Sequence, residues 1–111
     1  MPGLSHPEVI DLVTISTDGF TCRLHIVETE PWNDRPDATQ LNAKLLNYVG
    51  FALDGQLVAM YPEVANLPIE IVLEAYFALT RNALDDLETC KRGLSRYEID
   101  LTWTDGLDLS A

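Results

Sequence analysis

The chain has 111 residues, 47% of them hydrophobic and 23% charged, which is the size and composition of one globular domain and excludes a disordered segment. Seven basic against 18 acidic residues leave a formal charge of −11. That charge excludes nucleic-acid binding by phosphate neutralisation and disfavours docking on an anionic membrane surface.

The start of the chain has neither the basic nor the apolar region of a secretory signal, and no apolar run approaches the roughly 20 residues of a spanning helix. Cys22 and Cys90 form no CxxC motif and no disulfide framework. A reduced, cytoplasmic protein is expected. The acids are spread along the chain without an acidic block, so they are read as the surface of a folded domain.

Residues 1–8 are expected to be a flexible lead-in, and residues 9–104 the domain. Val9 to Glu28 reads as a β-hairpin about Asp18-Gly19, a pair suited to a two-residue type I′ turn. That turn would set Ile15 opposite Cys22 and Val13 opposite Leu24 on an apolar face. Thr14 with Arg23, Ser16 with Thr21, and Leu12 with His25 would share the other face. The same register puts Asp11 on the apolar face, where it is expected to accept backbone amides.

Glu30 to Pro36 is read as a connector, broken by Pro31 and Pro36 and containing Trp32, Asn33 and Asp34. Asn33 and Asp34 are expected to satisfy backbone groups in that turn. Trp32 either packs beneath the first helix or lines a groove, with packing favoured. Asp37 and Gln40 resemble a capping box opening a helix whose stripe is Ala38, Leu41, Leu45, Tyr48, Val49 and Ala52. Asp54-Gly55 would stop it. Gln56 to Tyr61 fits either a further helical turn or an extended run.

Pro68 to Phe77 alternates as a half-buried strand, with Ile69, Ile71, Leu73, Ala75 and Phe77 on one side. Thr80 or Asn82 can cap a second helix with the stripe Ala83, Leu84, Leu87, Cys90 and Leu94. Tyr97 to Thr104 alternates again, and residues 105–111 are expected to fray. The order ββαβαβ, with one apolar face per strand, predicts an α+β two-layer sandwich: a four-stranded mixed sheet with both helices on one face.

Few residues suggest chemistry. Cys22 with His25 could be a nucleophile and base, but the hairpin register points them to opposite faces. His6 lies in a proline-flanked lead-in. The sequence contains no phosphate-loop, dinucleotide, GxSxG or HExxH pattern. No catalytic residue, metal ligand set or cofactor is expected.

Glu70, Glu74, Glu98 and Asp100 fall on the polar sides of the last two strands, with Val72 and Tyr76. If those strands neighbour each other, four carboxylates share one surface. It is then a solvated face, a docking face for a basic partner anchored by Tyr76, or, least favoured, a weak divalent site. Carboxylates left unpaired there would repel, so salt should stabilise the fold.

Several pieces together resemble a bacterial family of small single-domain proteins of unassigned function. They are Ile10-Asp11, Asp18-Gly19, Trp32-Asn33-Asp34, the helical Leu-x-x-Lys-Leu-x-x-Tyr of Leu41 to Tyr48, Asp54-Gly55 and Tyr61-Pro62. The resemblance implies a bacterial, cytoplasmic protein and transfers no catalytic residue. The expected role is a non-catalytic protein-interaction domain, possible as a homodimer, with a basic protein among its candidate partners. The alternatives are an acidic inhibitor or immunity-like protein covering a basic toxin or nuclease surface, and an enzyme of unrecognised chemistry.

Overall fold

Alternating apolar and polar residues give four strands, β1 (Leu12–Ile15), β2 (Cys22–Glu28), β3 (Ile69–Ala75) and β4 (Ile99–Thr104). The computed structural model describes residues 12–32 and 34–106, without the side chains of residues 34–38. Among the described residues three helices accompany the strands: α1 (Asp34–Leu53), a short α2 (Gln56–Met60) and α3 (Arg81–Leu94). Asp11 and Asn33 lie outside the described residues, as do both chain ends.

The strands lie in the order β1-β2-β3-β4, antiparallel between β1 and β2 and parallel thereafter. The expected four-stranded mixed sheet is present, and Gln56–Met60 takes the helical one of its two expected conformations. The side chains of Cys22, Leu24 and Ile26 share a face with Ile71 and Leu73 and with Ile99 and Leu101. All are at most 2% exposed, as are Leu41, Leu57, Ala83 and Leu87 from the helices. Polar neighbours on the other face are only half-buried, so the helices cover one side and leave the other open.

The hairpin keeps its expected register: Leu12 pairs with His25, Val13 with Leu24, Thr14 with Arg23, and Ile15 with Cys22. The turn itself differs. Gly19 N–H donates to the Ser16 carbonyl at 2.8 Å, and Ser16 N–H donates to the Thr21 carbonyl at 2.9 Å. The loop is therefore the four residues 17–20, not a two-residue type I′ turn. Asp18 explains the difference, because its carboxylate accepts the Ser16 hydroxyl (2.5 Å) and the Phe20 N–H (2.9 Å). Only Gly19 takes positive φ, at 78°. A two-residue loop would close on Thr17–Phe20, whereas the observed loop closes one step earlier on Ser16–Thr21; both leave Ile15 opposite Cys22, so the register survives the change of turn.

α1 begins three residues ahead of the expected Asp37 capping box, and Asp34 is helical instead of part of the connector. Pro36 falls in the first turn, where an N–H has no intrahelical partner and its loss costs nothing. Asp54 accepts the Gln56 N–H at 3.0 Å, and Gly55 takes φ 96°, so the chain turns and helix resumes as α2. Thr80 caps α3, accepting the Ala83 N–H at 3.1 Å.

Two strand ends differ from the sequence pattern. Tyr97 closes a 3-10 turn and Glu98 stands left-handed at φ 59°, so β4 starts at Ile99. β3 ends at Ala75, which leaves Phe77 41% exposed beyond the sheet.

Replacing Gly19 with valine is expected to destabilise the protein by about 1 kcal/mol or more, because a β-branched residue resists positive φ. Chemical denaturation reads this directly, and an unchanged midpoint would contradict the left-handed conformation at Gly19.

Candidate functional site: the open face of the sheet

Strand order builds this surface. β2 brings Arg23 and His25 beside Glu70, Val72 and Glu74 of β3, which lie beside Asp100 and Thr102 of β4. Arg23 Nε donates to Glu70 Oε1 at 2.8 Å, and Thr102 Oγ1 donates to Glu70 Oε2 at 3.1 Å. One carboxylate thus ties all three parallel strands together, with its side chain 18% exposed.

His25 forms the second knot. Its Nδ1 meets Glu74 Oε1, and its Nε2 lies 2.6 Å from Thr14 Oγ1. An ionised carboxylate only accepts, so Nδ1 carries a proton, and in the neutral ring Nε2 accepts from the threonine hydroxyl. On the opposite side of the sheet the phenol of Tyr48 donates to the His25 carbonyl at 2.5 Å. His25 is therefore held from both layers: the backbone by α1, the ring by β1 and β3.

Asp100 makes a third contact, around the sheet edge. Lys91 Nζ, from the last turn of α3, donates to Asp100 Oδ1 (2.5 Å) and to the Leu101 carbonyl (2.9 Å). The Leu101 N–H donates to the same Asp100 oxygen at 2.9 Å. These bonds occupy backbone groups that an edge strand would otherwise offer to another chain. The Lys91 hydrogen bond holds the Asp100 carboxyl below its ordinary pKa, helped by the Leu101 amide and opposed by partial burial.

Four like charges do not meet here as the sequence suggested. Glu70, Glu74 and Asp100 each face a donor, and left-handed Glu98 precedes the strand. The expected repulsion is replaced by pairing. Val72 lies between Glu70 and Glu74, half-buried, and Tyr76 follows β3 with its N–H on the Glu28 carbonyl at 2.9 Å. Thr14, Arg23 and His25 lie on the expected face, and their pairing with the acids follows from the adjacency of β2 and β3, which local patterns do not contain.

Thr14, His25 and Glu74 are arranged as hydroxyl, imidazole and carboxylate in line, the order of a nucleophile, base and orienting acid. Acyl transfer further requires a substrate cleft and amide donors for an oxyanion. Among the described residues, three hollows lie between α1 and α3, beside the starts of β3 and β4, and against β4 near Lys91. None of the three is lined by Thr14, His25 or Glu74. Cys22 and His25 point to opposite faces as expected, and burial raises the pKa of both Cys22 and Cys90, with Glu63 and Asp86 adding to it. Cys22 is fully buried, whereas Cys90 is half-buried against the α1–α3 hollow.

Among the described residues no group of three or more His, Cys, Asp or Glu side chains is placed to hold a metal ion, and no helix is long and apolar enough to cross a membrane. Trp32 is half-buried against the core, and its Nε1 is buried without a hydrogen-bond partner among the described residues.

Lys44 is the residue the helical stripe omitted. It is fully buried on the inward side of α1, with Nζ 5.8 Å from the centroid of the Tyr48 ring, a cation–π contact. Leu41, Lys44, Leu45 and Tyr48, the fixed positions of the Leu-x-x-Lys-Leu-x-x-Tyr pattern, are all at most 3% exposed. The pattern is thus the core-facing surface of α1. A family of unknown function (DUF6572) matches residues 3–105. The chain belongs to DUF6572. No curated protein and no solved structure matches it.

Asp100→Asn is expected to lower the stability of this DUF6572 domain by a few tenths of a kcal/mol near neutral pH, as for an exposed ion pair. A depressed carboxyl stabilises the fold above its unfolded pKa of about 3.9 and ceases to as pH falls through the folded value. The gap between wild type and variant should therefore close as pH drops below about 4. A gap independent of pH would contradict the pairing with Lys91.

Proposed function

We propose that the chain is a non-catalytic protein-interaction domain that presents the open face of its sheet to a basic protein partner. The observation that carries this reading is an ordered face over which none of the described helices lies. Glu70, Glu74 and His25 are already fixed by cross-strand bonds, so little side-chain freedom is lost when a partner docks. Val72 supplies an apolar strip at the centre and Tyr76 an aromatic anchor at one end.

The local charge is nearly balanced by Arg23 and Lys91, so the overall charge of −11 acts mainly on encounter, drawing in a basic surface before the fitted contacts form. Inhibition of a basic toxin or nuclease is the narrower form of the same reading. A bacterial cytoplasmic setting belongs to the proposal too, supported by two free cysteines and by the motif resemblance.

The test is affinity capture from a bacterial lysate at low and high salt, followed by kinetics on the captured protein. Glu74→Gln with Asp100→Asn retains acceptors for His25 and Lys91 while removing two charges. Association is expected to slow several-fold with dissociation little changed. Capture of the same partner at unchanged association rate and salt dependence would overturn the proposal.

A further inference from the structure

The outward side of α1 lies on the helical layer, away from the open sheet face, and is chemically unlike the rest of the molecule. Residues 39–53 contain no acid in a chain that has 18, and their single charged residue, Lys44, is fully buried. The solvent side of this stretch is therefore uncharged. Ala43, Leu46, Gly50 and Leu53 are all exposed, Leu46 by 64% and Leu53 by 55%. Their spacing of three, four and three residues is the a/d seam of a helix that packs on another helix, about 15 Å long. The outward side of α1 thus carries an apolar seam flanked by Asn42 and Asn47, and among the described residues only the inner side is covered.

The surface beside the seam is hollowed. A groove of about 260 Å³ between α1 and α3 runs past Leu46, Val49, Cys90 and Tyr97, with Asn42 and Arg96 also on its walls. That is below the roughly 300–1,000 Å³ of small-molecule sites, and its walls suit an inserted aliphatic side chain. Leu53 and Tyr97 line a second hollow of about 360 Å³. Tyr97, 43% exposed, stands between the two.

We propose that two copies of this chain pair through the outward side of α1, with Leu46 of each copy entering the groove of the other. Charge selects this occupant. Two bodies each carrying −11 repel wherever acids face acids, and a basic partner is drawn to acidic surfaces. An uncharged side set against itself across a two-fold axis brings no acid of α1 residues 39–53 into opposition, and it is self-complementary as a two-fold contact requires.

Gly50 fits the same arrangement. A Cβ there would meet nothing within 4 Å, so the isolated fold has no need of glycine in mid-helix, where alanine is the better residue. At the centre of the seam, the bare backbone lets a second helix approach closely.

The experiment is sedimentation of the full chain over a concentration and salt series, with Leu46→Glu and Gly50→Leu compared to wild type. The wild type is expected at twice the 12.4 kDa chain mass, with the paired fraction rising as salt screens the net charge. Each variant should halve the mass while keeping a native circular dichroism spectrum. Gly50→Leu secures the test if Leu46→Glu misfolds, because its side chain starts in open space. A wild type at one chain mass throughout, or variants that pair as well as wild type, would overturn the inference. Substitution of Glu74 and Asp100 should leave the mass unchanged, which separates this contact from the proposed partner face.

Discussion

The parallel pairing of β2 with β3 is the constraint on which the rest depends. Cys22 opposite Ile69 sets every later pair, through Glu28 opposite Ala75. Side chains alternate with a period of two, so a slip of one residue would carry Arg23 and His25 into the core and expose Leu24 and Ile26. The apolar side alone opposes that slip strongly. The polar side opposes it again, because Glu70 meets Arg23 and Glu74 meets His25 only in the native register. One pairing therefore produces both the core and the ordered open face.

α1 adds a second consequence of the same pairing. Tyr48 reaches the His25 carbonyl from the helical layer, while Thr14 and Glu74 hold the ring on the far side. A helix contact and a surface network thus meet in one residue of a central strand. Substitutions at Tyr48 would be felt on the open face through the backbone of β2. Lys44, one turn away, carries its charge into the same layer beside the Tyr48 ring.

Much of the fold was legible in the residues, and the exceptions have physical causes. The hairpin register was readable because apolar Val13, Ile15, Cys22 and Leu24 sort to one side only about the Ser16–Thr21 pair. The turn was misread because Asp-Gly suggests positive φ at both residues, whereas the Asp18 carboxylate finds better partners in a four-residue loop. Alternation at Tyr97-Glu98 mimicked a strand although Glu98 is left-handed. Lys44 escaped notice because a charged residue does not enter an apolar stripe, even when its position is an inward one. The acids of the candidate site were recognised, but their partners were not, since pairing between distant strands depends on a strand order that local patterns do not contain.

Cross-strand pairs on the open face report and reinforce the β2–β3 register. Exchanging the two charges tests it most directly. Arg23→Glu and Glu70→Arg are each expected to destabilise the fold by about 1 kcal/mol, by setting like charges opposite one another. Combining them should recover more than half of the summed loss, the remainder reflecting the Thr102 bond that Glu70 alone accepts. A double variant as unstable as the two single losses added together would contradict the claim.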